Sequence, residues 1–83
     1  MLSYRDVPRT TVIYNSKTGG RDILYKDTRL DYDFVEGMIY GVFVNETALD
    51  ERFVSVDDRD DLFQSWVRRN SDYVEELINE RCY

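Results

Sequence analysis

Apolar and polar residues change their spacing twice along this chain. Thr10 to Tyr14 (TTVIY) and Ile23 to Lys26 (ILYK) are short runs of β-branched and aromatic composition. Between them, Asn15, Ser16, Gly19 and Gly20 are residue types that tolerate positive φ or bond their own backbone in turns. The pattern predicts a hairpin with a loop of about five residues, carrying Lys17 and Arg21 at its tip. Polar residues from Asp27 to Asp33 then interrupt the alternation, and Asp31 and Asp33 favour a turn.

The most apolar stretch is FVEGMIYGVFV, Phe34 to Val44. A membrane-spanning helix needs roughly 20 apolar residues, about twice this length, and the run contains Glu36 and two glycines. Its β-branched and aromatic content, with Gly37 and Gly41 counting against a helix, predicts a central strand. Phe34, Met38, Tyr40, Val42 and Val44 then share one face, and Val35, Gly37, Ile39, Gly41 and Phe43 the other. Both faces are apolar, so each expects a cover. The glycine face has room for a bulky residue such as Trp66 or Phe63 from a helix laid over it. Met38, Tyr40 and Val42, on the opposite face, are the expected dimer or apolar partner interface.

After a loop over Asn45 to Glu51, Arg52 to Val56 (RFVSV) reads as a further short strand completing a second hairpin. The period then changes. Leu62, Phe63, Trp66, Val67, Tyr73, Val74, Leu77 and Ile78 recur at three- and four-residue intervals, as on one stripe of a helix. Asp57 or Asp58 suits its N-cap, with Asp60 and Asp61 opposing the helix dipole. Asn70, Ser71 and Asp72 resemble a break with a fresh cap. Eleven residues of helix turn through about 1100°, however, so Leu62 and Tyr73 keep one face without a break. One continuous or slightly kinked helix is the favoured reading. The expected fold is α+β, a small four-stranded, mostly antiparallel sheet in the order ββββα, with the C-terminal amphipathic helix packed on one face. Residues 1–9 read as a lead-in, with Pro8 disfavouring a helix.

With 83 residues, 42% of them hydrophobic and 34% charged, the chain suits a single folded domain over residues 1–83. It has no histidine, which removes the commonest general base and metal ligand. The single cysteine, Cys82, excludes an internal disulfide and a cysteine-based zinc site. The N-terminal stretch MLSYRDVPRT has no apolar core of signal-peptide length, so a reduced, cytoplasmic protein is expected. No enzyme activity, metal or cofactor is expected from this inventory.

Charge changes the picture further. The net charge is −6, but residues 1–30 hold six basic residues against three acids, whereas residues 31–83 hold five against fourteen. The run Asp57, Asp58, Arg59, Asp60, Asp61 lacks the spacing of a calcium loop. It reads either as a solvated helix start or as an acidic patch for a basic protein partner. Asp50, Glu51, Glu75, Glu76 and Glu80 extend that candidate partner-binding set. Carboxylates spread over a compact surface imitate nucleic-acid phosphates and occupy clefts built for them. Small acidic inhibitors from viruses and mobile elements, some anti-CRISPR proteins among them, are similar in size and charge, though no motif ties this chain to one of those families. The expected function is therefore a non-enzymatic acidic binding protein that occludes a basic surface of a nucleic-acid-handling protein. The alternatives are a self-assembling subunit that dimerises through the sheet and, less favoured, a nucleic-acid binder using Lys17, Arg21, Lys26 and Arg29 with Tyr14 and Tyr25. Ser16 to Gly20 (SKTGG) does not make a phosphate-binding loop, because its glycines follow the Lys-Thr pair and a strand comes next.

Overall fold

The N-terminal hairpin forms as its turn residues dictate. In the computed structural model, which describes residues 7–83, β1 (Thr10–Asn15) and β2 (Gly20–Tyr25) pair antiparallel with Val12 opposite Ile23. Asn15 directs the loop. Its side-chain oxygen accepts from the Lys17 amide at 3.0 Å, and its carbonyl accepts from the Gly19 amide at 2.9 Å. Gly19 takes φ 73°, where a side chain would be strained. A tight turn through Lys26 and Asp27 leads to β3 (Thr28–Asp31), which pairs antiparallel with β2. The stretch 27–33, expected as an interruption, thus supplies a third strand at Thr28–Asp31 and the first two residues of a helix.

The register places Thr10, Val12, Ile23, Tyr25 and Leu30 on one face of the sheet. Thr10, Ile23 and Tyr25 are buried there. The other face is mixed, with half-buried Ile13 and Leu24 beside Asp22, which accepts from Asn15 at 2.8 Å and meets Arg29 at 3.5 Å.

The stretch Phe34 to Val44 is helical, which corrects the expected central strand. Helix α1 spans Tyr32–Thr47, and Tyr32, Val35, Ile39 and Phe43 form its buried stripe at intervals of three and four. Asp31, extended at φ −69° and ψ 124°, precedes it as N-cap, and Asp33 lies in its first turn. The stripe packs on β2 and β3 on one side and on the C-terminal helices on the other. Gly37 and Gly41 are not covered by Trp66 or Phe63. They face outward, and a β-carbon added at either would meet nothing within 4 Å.

The sheet therefore has three strands, not four. Arg52 to Val56 is no strand. It forms a turn that runs into α2 (Val56–Arg69). The C-terminal helix is two helices, α2 and α3 (Ser71–Arg81), divided at Asn70. Asn70 donates to the Trp66 carbonyl from both its backbone amide and its side chain, each at 2.9 Å, so the side chain completes the end of α2. The architecture is α+β, a βββααα chain with one sheet face against the helical layer.

Aromatic rings fill the helix–helix junction. Phe43 lies 5.2 Å from Phe63 and 5.7 Å from Trp66, and Trp66 in turn lies 6.2 Å edge-on to Tyr73. Tyr40 stands edge-on to Phe63 at 5.2 Å. Such offset and edge contacts each add about 0.5–1.5 kcal/mol beyond area burial. They tie α1, α2 and α3 into one layer. No helix among the described residues is long and apolar enough to cross a membrane.

Candidate functional site

The acidic candidate site begins where α1 ends. Ala48 adopts a left-handed conformation (φ 52°, ψ 39°), and its amide and that of Leu49 both return to the Val44 carbonyl. This closes the helix as a C-terminal cap does. The chain then turns tightly at Asp50, which accepts from Arg52 three times, at 3.1 Å from the amide, 3.0 Å from Nε and 2.8 Å from Nη2. Those bonds favour the carboxylate and hold the Asp50 carboxyl below its usual range. The Phe53 amide closes the turn on the Asp50 carbonyl at 3.1 Å.

Glu51 anchors this loop to the helical layer. Tyr40 Oη donates to Glu51 Oε1 at 2.7 Å, and Arg59 Nη1 lies 3.4 Å from Glu51 Oε2. Burial and the Glu51 bond, in that order, push the Tyr40 phenol above its ordinary range. Tyr40 is thus a strut between α1 and the loop, on a different side of the helix from the glycines. Met38 and Val42 are half-buried and line a shallow groove of about 400 Å³ with Gly37, Gly41 and Tyr73.

Ser55, not Asp57 or Asp58, caps α2, accepting from the Asp58 amide at 3.2 Å. Asp57 and Asp58 occupy the first turn instead, beside the positive end of the dipole. Asp60 turns partly inward and accepts from Gln64 at 2.9 Å. Glu75 is half-buried and meets Arg9 at 2.8 Å, pinning α3 to the segment before β1. Of the sequence-predicted carboxylates, Asp50, Glu51, Asp60 and Glu75 are engaged inside the fold. Asp57, Asp58, Asp61, Glu76 and Glu80 are exposed, and none has a side-chain partner among the described residues.

No family model, curated protein or solved structure matches this chain.

Some of the basic residues are engaged within the fold, whereas Lys17, Arg68, Arg69 and Arg81 are exposed. Arg9, Arg29, Arg52 and Arg59 sit in ion pairs, and Arg21 lies 4.8 Å from the Tyr32 ring centre. Lys26 donates to Asn79 at 3.3 Å and lies near the Tyr25 and Tyr83 rings. Cys82 is half-buried, and burial raises its thiol pKa, which disfavours the thiolate. Two features escaped the sequence reading. Asp72, in the first turn of α3, is exposed and joins the partnerless carboxylates. Phe53 and Val56, read as strand positions, project into solvent at 82% and 70% exposure.

Proposed function

We propose that this chain is a non-enzymatic binding protein whose acidic helices dock on a basic surface of another protein and occlude it. The observation that carries this reading is the division among the carboxylates. Cations inside the fold neutralise Asp50, Glu51 and Glu75, while Asp57, Asp58 and Asp61 on α2 and Glu76 and Glu80 on α3 remain open to an external cation. A surface so loaded steers a basic partner and repels polyanions. Within this reading the partner class is a nucleic-acid-handling protein, whose phosphate-binding cleft the carboxylates fill in place of phosphates.

The test is one chain carrying Asp57→Asn, Asp58→Asn, Asp61→Asn, Glu76→Gln and Glu80→Gln, used beside the wild type as bait in nuclease-treated extract of the source cells. A basic protein retained stoichiometrically by the wild type and lost by the variant is the expected result. Equal retention by both chains overturns the reading.

A second reading, self-association, is favoured by α1. Its outward side carries Phe34, 61% exposed, one turn before the uncovered Gly37 and two before Gly41. A second copy laid against this side would meet a surface without projecting side chains at the glycines. Phe34→Asp then lowers the mass in solution from dimer to monomer, and a wild-type mass of one chain at micromolar concentration removes this reading.

A further inference from the structure

Phe53, on a turn fixed from both ends, and Val56, the first residue of α2, stand at the centre of the most negatively charged segment of the chain. Within residues 49–61 there are six acids against two arginines. On the near side, the turn is closed by the three Asp50–Arg52 bonds and by the Phe53 amide on the Asp50 carbonyl. On the far side, the Ser55 cap starts α2. Glu51 ties the whole loop to Tyr40 and Arg59. A backbone fixed by so many local bonds needs little further ordering when the ring it carries is buried by a partner.

We infer that Phe53, with Val56 beside it, is the apolar anchor of the docking surface, and that its occupant is a basic amphipathic protein surface, apolar at its centre and rimmed by lysine or arginine. This rests on the proposed acidic-binding function and names the partner chemistry of that same surface. Exposed apolar side chains scattered singly on a surface need no explanation. Here Phe53 on a fixed turn and Val56 at the start of α2 lie three residues apart, with the partnerless carboxylates of Asp57 and Asp58 next to them. Interfaces concentrate their binding energy on such an aromatic centre, and the charged rim sets partner choice and encounter rate. The charge also decides the class of occupant. Asp50, Glu51, Asp57 and Asp58 outweigh Arg52, whose guanidinium lies 5.5 Å from the Phe53 ring centre, and Arg59. A phosphate backbone or an anionic lipid surface would be repelled by this balance. A basic protein rim would be attracted.

The probe is a helical peptide of leucine and lysine, compared with a control of the same charge in which serine replaces every leucine. Both are titrated at low salt into the isotopically labelled chain and followed by amide chemical shifts. The expected result is at least about tenfold tighter binding of the leucine peptide, with the largest shifts over residues 52–57. Phe53→Ala should reduce that preference to within about twofold while leaving the control peptide unaffected. This variant keeps its fold, because the ring is exposed. Equal binding of the two peptides by the wild type overturns the anchor and leaves the acidic reading standing. Absence of binding by either peptide overturns both. Binding of phosphatidylglycerol vesicles that is lost in Phe53→Ala overturns the protein occupant in favour of a membrane.

Discussion

The two sides of α1 are built from neighbouring residues and do opposite work. Inward, Tyr32, Val35, Ile39 and Phe43 are buried between the sheet and the other two helices. Outward, Phe34, Gly37, Gly41 and Asn45 repeat nearly the same spacing, yet all are exposed. The difference shows what holds this helix. Two glycines in its interior cost about 0.5–1 kcal/mol each relative to alanine, so propensity alone opposes it. Burial of the inward stripe, at about 1.5–3 kcal/mol for each large apolar side chain, is what stabilises it.

The largest expected effect breaks that comparison directly. Ile39→Ala should destabilise the fold by about 2–5 kcal/mol and Phe43→Ala by about 3–5 kcal/mol, because fully packed sites cannot collapse around the void. Phe34→Ala should stay within about 0.5 kcal/mol, as a surface change does. Urea unfolding of the three variants measures this. Similar losses at Phe34 and Ile39 would mean that both sides of the segment are covered, as a central strand requires.

A smaller effect concerns the two tyrosines that bridge α1 to its neighbours. Tyr73 Oη donates to Glu46 at 2.7 Å, just as Tyr40 donates to Glu51. Tyr40→Phe should cost about 0.5–1 kcal/mol, below the ~1.5–3 kcal/mol of a bond to a charged group because Glu51 is exposed and screened by solvent. It should also speed amide exchange over residues 48–55, since Glu51 loses an anchor. Unchanged exchange there would show that Arg59 and the Asp50 turn hold the loop without Tyr40. In pH, the Glu46 bond raises the Tyr73 phenol, and burial above all raises those of Tyr40 and Tyr25. A phenol whose pKa is higher folded than unfolded binds its proton more tightly in the native state. The stabilisation is therefore complete below the unfolded value of about 10 and is lost as pH rises through the folded values. Tyrosinate absorbance should rise in two stages, the later one coinciding with loss of helical circular dichroism. A single stage that precedes unfolding would contradict the raised phenols.

How much of this was legible in the chain follows from which signals were local. The loop of the first hairpin is set by residues within it, Asn15 through its two bonds and Gly19 through its positive φ. The buried stripe of α2 and α3 was also readable, because Phe63, Trp66, Val67, Val74, Leu77 and Ile78 contrast with charged neighbours. Phe34 to Val44 was not. A run apolar on nearly all sides satisfies period 2 and period 3.6 alike, and its β-branched residues and glycines tilted the balance toward a strand. The spacing of Val35, Ile39 and Phe43, with Glu36, Asn45 and Glu46 off that stripe, was the signal that favoured a helix. At the candidate site, residue type gave the charge of Asp57, Asp58, Asp61, Glu76 and Glu80. It gave no means of telling them from Asp50, Glu51 and Glu75, whose partners come from other elements or from turn geometry. Phe53 went unnoticed because RFVSV has strand composition. That composition yields to the turn at Asp50 and the cap at Ser55.

The smallest predicted effects sharpen the comparison, because α1 carries glycine where alanine fits and alanine where glycine fits. Gly37→Ala and Gly41→Ala place a methyl in open space on a helical backbone, so each should stabilise the isolated chain by about 0.5–1 kcal/mol. Ala48, at φ 52°, holds the left-handed position that ends the helix, where a β-carbon is strained, and Ala48→Gly should stabilise by up to about 1 kcal/mol. For a domain of this size each change corresponds to about 2–8 °C in melting temperature. Thermal unfolding at dilute and concentrated protein separates two causes. If the outward side of α1 is bare, the glycine variants melt higher at both concentrations. If a second copy packs against Gly37 and Gly41, the added methyls hold the helices apart, and the advantage seen in dilute solution reverses in concentrated solution. Ala48→Gly lies beyond the end of α1 and should keep its gain in both.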